Sequence, residues 1–279
     1  MTRPSPALIG PTTPAQLHVM SMNIRLDRSG DGATHPGDAD HWPERRPRLI
    51  DLLARERPAV LGVQEALHGQ LSAIEEALPG HRYVGYGREG GSHGEHAAIF
   101  YDAERFEMLS WDQFWLSDTP EVIGSTTWGH TVTRIVVRAE LRDLATHREL
   151  TVLNNHFDHE SEIARRRSAR ALTELVTGSS VPVIVTGDFN AAAHDSGAYT
   201  ALVTEGPTVD TWDTAEAQLT PAWGTFLDYR APVEGGERID WILTSEDITT
   251  VRAAINVSRG GEGRYPSDHA AVQALIALP

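Results

Sequence analysis

Five short polar segments carry most of the reactive side chains of this 279-residue chain: Ser21-Met22-Asn23-Ile24-Arg25, Val63-Gln64-Glu65, Asn155-His156-Phe157-Asp158-His159, Gly187-Asp188-Phe189-Asn190 and Ser267-Asp268-His269. Each follows or ends an apolar run, where a strand hands its side chains to an open edge. On an extended backbone, Asp188 and Asn190 point to the same side, so they could offer an anionic base and a neutral donor to one substrate atom. An Asx turn is the plainer reading of that pair. Glu65 is the best ligand candidate, and oxygen donors favour a hard cation such as Mg²⁺ or Mn²⁺; on composition alone it reads as an exposed loop glutamate. Asn23 could ligate through its amide oxygen, hold Glu65 through its amide nitrogen, or bond to its own turn. His269 is tunable near neutral pH, more so with a carboxylate beside it. His156, Asp158 and His159 invite a zinc reading, but His159 falls off the strand face that the other two share.

Strands must deliver these residues. Alternation and β-formers predict strands over Leu17–Ile24, Ala59–Gln64, Tyr83–Gly87, Ala97–Tyr101, Phe106–Trp115, Thr131–Leu141, Leu150–His156, Val181–Thr186, Ile239–Thr244, Val251–Val257 and Ala270–Ile276. Helical periodicity predicts helices over Arg48–Glu56, Leu71–Leu78 and Glu162–Val176, with a helix-like stretch near Ser196–Val203. Residues 27–47, polar and rich in His, Asp and Arg, read as a long loop at the rim of a cleft. Several consecutive strands mid-chain suit mixed sheets packed face to face.

The five segments, in this order and joined by Arg238-Ile239-Asp240-Trp241, resemble the endonuclease/exonuclease/phosphatase superfamily of DNase I-like, metal-dependent phosphoesterases. The resemblance runs from about Leu17 to Leu278. It implies an α/β (α+β) four-layer sandwich, two mixed sheets flanked by helices. It also implies Mg²⁺ or Mn²⁺ held by Glu65, Asn23 and Asp268, and water handled by Asp188. By the same resemblance Asn190, His156 and His269 stabilise the phosphoryl group, Asp240 orients His269, and Asp158 braces the site. Such chemistry needs an activated water, a clamp on the non-bridging oxygens and relief of charge on the leaving oxygen. The Asp-His pair has no serine in a nucleophile-elbow setting to serve: the one Gly-x-Ser-x-Gly, Gly90-Gly91-Ser92-His93-Gly94, lies in a glycine-rich turn that leads into a strand rather than between a strand and a helix. Glu95, after a glycine-rich turn, is a substrate contact by resemblance or part of a plain hairpin. Arg134 reads as a phosphate contact or as a solvent-facing strand arginine, and His159 as a substrate contact or a helix cap.

Composition narrows the partners. No cysteine is present, which excludes disulfides, thiolate zinc and a cysteine nucleophile. The formal charge is −15 and every one of the 24 basic residues is arginine. Broad nucleic-acid affinity depends on neutralising phosphates, so this balance favours a small-molecule or lipid-linked phosphate, with DNA or RNA as the alternative. A noncatalytic binding protein on the same fold is the third reading. No protein partner is inferable. Residues 1–16 read as a flexible leader and 17–279 as a single domain; without a signal peptide or an apolar run long enough to span a bilayer, the expected location is cytoplasmic.

Overall fold

The computed structural model describes residues 6–260 and 263–279. Strand β1 (Gln16–Asn23) leads to helix α1 (Trp42–Glu56), then β2 (Val60–Gln64), α2 (His68–Ala77), β3 (His81–Val84) and β4 (Ile99–Asp102). Three long strands follow, β5 (Phe106–Trp115), β6 (Ile135–Asp143) and β7 (Arg148–His156), then α3 (Glu162–Thr177) and β8 (Val183–Asp188). The short α4 (Gly197–Tyr199) runs into a π-type turn over Thr200–Thr204, and β9 (Thr208–Asp210), α5 (Thr211–Thr214) and β10 (Ala217–Gln218) precede β11 (Asp240–Ser245), β12 (Thr249–Asn256) and β13 (Ala271–Ala277).

The strands form a seven-stranded sheet, β10-β12-β13-β1-β2-β4-β3, and a six-stranded sheet, β5-β6-β7-β8-β11-β9. Both are mixed, because β1 runs parallel to β2 and β7 parallel to β8 while most other pairs are antiparallel. Leu17, Val19 and Val272 of the first sheet meet Val137, Val152 and Ile242 of the second in a buried apolar layer. Helices α1 and α2 cover the outer face of the first sheet through Leu49, Leu53, Leu71 and Ile74. Helix α3 covers the second through Ala169, Leu172 and Val176. The result is the expected four-layer sandwich, since each sheet buries two faces and needs a cover on both.

Polar residues stitch the sheets together under the strand ends. Asn154 accepts from Gln64 Nε2 at 2.7 Å and from Thr186 Oγ1 at 3.0 Å, and it donates to the carbonyls of Val63 and Ala98. The approach is so close that a Cβ on Gly62 would stand 2.1 Å from Thr186 Oγ1. Buried amides of this kind are tolerated when their partners are satisfied.

Three expectations change. Helix α1 begins at Trp42, not Arg48, so the rim loop is shorter than residues 27–47; Pro43 lies in the first turn, where no intrahelical N–H is needed, and Pro47 sits inside without ending the helix. The leader is docked in its described part: Ile9 is buried against Ala254 and Leu275, and Leu8 N donates to Glu56 Oε2 at 2.9 Å. Residues 1–5 lie outside the described residues. Strand β6 starts at Ile135, which leaves Arg134 just before the ladder and buried rather than on a solvent face.

Candidate active site

Register assembles the site. His156 on β7 and Asp240 on β11 are both paired with Asp188 on β8, so three strand ends lie abreast. Across the sandwich, Asn23 at the end of β1 pairs with Gln64 and so stands beside Glu65. Asn23 Nδ2 donates to Glu65 Oε1 and to Asp188 Oδ2, both at 2.9 Å, and this amide joins the two sheets. The C-terminal segment is strapped on by Ser267, whose Oγ donates to Asn23 O at 2.7 Å and accepts from His269 N at 3.2 Å. Glu65, Glu95, Arg134, His156, His159, Asp188, Asn190, Asp268 and His269 line one open cleft of about 460 Å³. Asn23 and Asp240 are fully buried against them.

The pair Asp188 and Asn190 does not work by extended-strand geometry. The strand ends at Asp188, Asn190 takes a left-handed φ of 47°, and Asn190 N donates to Asp188 Oδ1 at 2.9 Å. The Asx turn and the joint presentation of both side chains are therefore the same feature. Asn190 Nδ2 is held by Phe157 O at 3.0 Å. The amide of Asn23 has a defined orientation: its Oδ1 accepts from Arg25 N at 2.9 Å, and turning the amide over would aim that oxygen at two carboxylates. It holds Glu65 through nitrogen.

Asp188 Oδ2 is the hub, 3.5 Å from His156 Nε2 and 3.8 Å from His269 Nε2. Burial and the neighbouring Asp240 push the Asp188 carboxyl up to about 7, against the pull of His269, Asn23 and the Asn190 N–H. His269 Nδ1 lies 2.9 Å from Asp240 Oδ2, and although burial opposes its charge, Asp240 and Asp188 carry the imidazole well above its ordinary value. His156 goes the other way: burial, then Arg134 and Arg88, hold it well below, so it is a neutral donor.

Among the described residues, Asp188, Asp240 and His269 form the one group whose acidic and imidazole ligand atoms all lie within 4.8 Å of one another. Their hydrogen bond implies a shared proton rather than a metal. Glu65 and Asp268 fit a hard cation better. Both flank the Arg25 guanidinium, at 3.5 Å and 3.6 Å, and burial together with Glu65 raises the Asp268 carboxyl, which added positive charge would relieve. Glu65 stays below its ordinary value: burial opposes this, but Asn23, His269, Arg25 and the Leu26 N–H outweigh it. Two carboxylates and no thiolate are the donors that Mg²⁺ or Mn²⁺ takes. The zinc reading fails, because His159 Nδ1 is 3.0 Å from Arg134 Nη2 and Asp158 Oδ1 accepts from Glu160 N and Ser161 N. Asp158 is a brace, and Ser161, not His159, caps α3.

Sequence reasoning assigned no role to Arg25, Arg45, Arg88 or Phe226. Arg25 had a signal, two residues after Asn23 in the same segment. Arg45 had none: it is fully buried and donates to the carbonyls of Ile24, Arg25, Leu26, Asp40 and Pro266.

Solved structures share this arrangement of sheets. An endonuclease/exonuclease/phosphatase family protein from Bacteroides thetaiotaomicron superposes with a TM-score of 0.85 at 32% identity, covering 95% of each chain. A Bacteroides thetaiotaomicron mannosyl-6-phosphatase gives 0.84 and 32%, covering 94% of this chain and 100% of that one. Human nocturnin is 22% identical over 290 residues, 93% of this chain, and the match spans only 64% of nocturnin's length. The model of the Endonuclease/Exonuclease/phosphatase family matches residues 20–269, which run from β1 through His269 and so take in every strand end of the cleft. On that match and this geometry, the chain belongs to the endonuclease/exonuclease/phosphatase family of phosphoesterases.

Proposed function

We propose that this chain is a divalent-metal-assisted phosphoesterase that releases phosphate from a small-molecule monoester by direct attack of water. The observation that carries the reading is the hub at Asp188. Its carboxyl, lifted to about 7, is poised to take a proton from water near neutral pH, while the adjacent His269 retains its own. Glu65 and Asp268 would hold Mg²⁺ or Mn²⁺, with Asn23 fixing Glu65. Such an ion supplies charge stabilisation to the phosphoryl oxygens. The His269 imidazolium, held by Asp240, faces the same oxygens, and neutral His156 adds an N–H without adding charge. Asn190 contributes its amide beside the attacking water. No nucleophilic side chain is required.

The small-molecule preference rests on the acidity of the chain and on its likeness to a mannosyl-6-phosphatase. Hydrolysis of hexose phosphates and p-nitrophenyl phosphate, read as free phosphate, and of bis-p-nitrophenyl phosphate, sphingomyelin and plasmid DNA, read as p-nitrophenol, phosphocholine and strand breaks, with and without EDTA, tests it. Metal-dependent release from monoesters is expected. Turnover confined to DNA would replace it with a nuclease, and equal rates in EDTA would remove the metal from the mechanism.

A further inference from the structure

We propose that the hairpin over residues 87–96 reads the leaving group, and that its Arg88–Glu95 pair selects a phosphate carried on a polyhydroxylated ring, a sugar phosphate. This deepens the phosphomonoesterase reading and rests on it.

The hairpin is built to hold a shape. Arg88 N donates to Glu95 O at 2.9 Å, Glu89 N to His93 O at 3.1 Å and Gly87 N to Gly91 O at 2.8 Å. Its base is tied to the sandwich by His96 N on Ala66 O, at 2.8 Å, and by Trp115 Nε1 on Arg88 O, at 2.7 Å. Gly87 permits the fold-back, because a Cβ there would lie 2.0 Å from His93 O. A rigid hairpin carries less ordering entropy into binding.

Arg88 Nη1 bonds Glu95 Oε2 at 2.7 Å, and both side chains line the cleft. Glu95 Oε2 is 4.0 Å from His156 Nδ1, which sets the pair one imidazole away from Asp188. Arg134 stands beside them at 5% exposure, with Asp158 at 3.7 Å from its Nε. The buried Nε atoms of Arg88 and Arg134 have no hydrogen-bond partner within the protein. Both arginines line the cleft, so a ligand there meets guanidinium groups that donate and need acceptors.

The charges decide which ligand. Two guanidiniums face two carboxylates, Glu95 and Asp158, so the wall is close to neutral. A second phosphate would meet Glu95 at close range, and an alkyl chain would leave the arginine donors unpaired. A hydroxyl donates and accepts at once, and neighbouring hydroxyls match an arginine-carboxylate pair. At the rim, Phe226 is 52% exposed, with its ring 5.0 Å from that of His269. It offers a flat apolar surface to the C–H face of a ring whose phosphate lies at Asp188.

The test measures kcat/KM of the wild type, Glu95→Gln and Arg88→Met on a hexose 6-phosphate, an n-alkyl phosphate and p-nitrophenyl phosphate. The wild type should prefer the hexose phosphate. Each variant should lower the ratio of hexose phosphate to p-nitrophenyl phosphate by about tenfold or more, mainly through KM. Because the ratio is taken on one preparation, partial unfolding does not disturb it. An unmoved ratio, or a wild type that favours the alkyl phosphate, overturns the sugar assignment while leaving the phosphatase standing. No release from any monoester overturns both.

Discussion

His269 at the cleft floor and His18 inside the first sheet are both buried, and burial alone strips an imidazole of its proton. At His18 only a backbone contact at Glu56 opposes that. Burial holds it down to about 4, and its Nε2 has no partner. At His269 the carboxylates of Asp240 and Asp188 reverse the sign. The cleft differs from the core less in burial than in the counter-charges that register places around one ring.

Removing the hub should have the largest effect. Asp188→Asn should lower kcat on p-nitrophenyl phosphate roughly 10⁴-fold. The folded chain should be no less stable, because burial and Asp240 already disfavour the Asp188 charge. Activity within tenfold of wild type would sink the role given to this carboxylate. Asp240→Asn should cost roughly 10³-fold in kcat with little change in KM, since Asp240 acts through His269 rather than on substrate. A rise in KM with kcat intact would make Asp240 a binding group instead.

In the core the sign runs the other way. The unfolded chain takes up the His18 proton near 6.5 and the folded chain only near 4. Stability from this group is therefore full above about 6.5 and falls as pH drops toward 4, by about 3 kcal/mol. Denaturant melts of His18→Leu across that window should show a flatter pH dependence than wild type; parallel curves would place the titration elsewhere. The smallest effect tests the stitch between the two regions. Gly62→Ala should destabilise by about 2 kcal/mol, because its Cβ has no room beside Thr186, and an unchanged melting temperature would contradict that close approach.

The strands under the cleft were legible because apolar alternation ends abruptly at Asn23, Glu65, His156 and Asp188. Their convergence was not, since spacing along the chain says nothing of which strands pair. Asp240 shows this: it is 52 positions from Asp188 in sequence and its direct partner in register. The start of α1 was misplaced because Pro47 reads as a boundary, although the helix tolerates it near its first turns. Arg25 escaped assignment because an arginine beside an asparagine has no period to betray three carboxylates, Asp40, Glu65 and Asp268, gathered from distant segments.

The guanidinium of Arg45 draws together carbonyls from residues 24–26, from Asp40 and from Pro266, and β1 lies between β2 and β13. During synthesis, the strand that bears Asn23 is made early and waits for more than two hundred residues before its second neighbour, β13, leaves the ribosome. The cleft thus cannot close around Asp268 and His269 in a nascent chain. Catalytic competence comes last in the order of assembly, and a truncated product would keep most of the second sheet while lacking any working site.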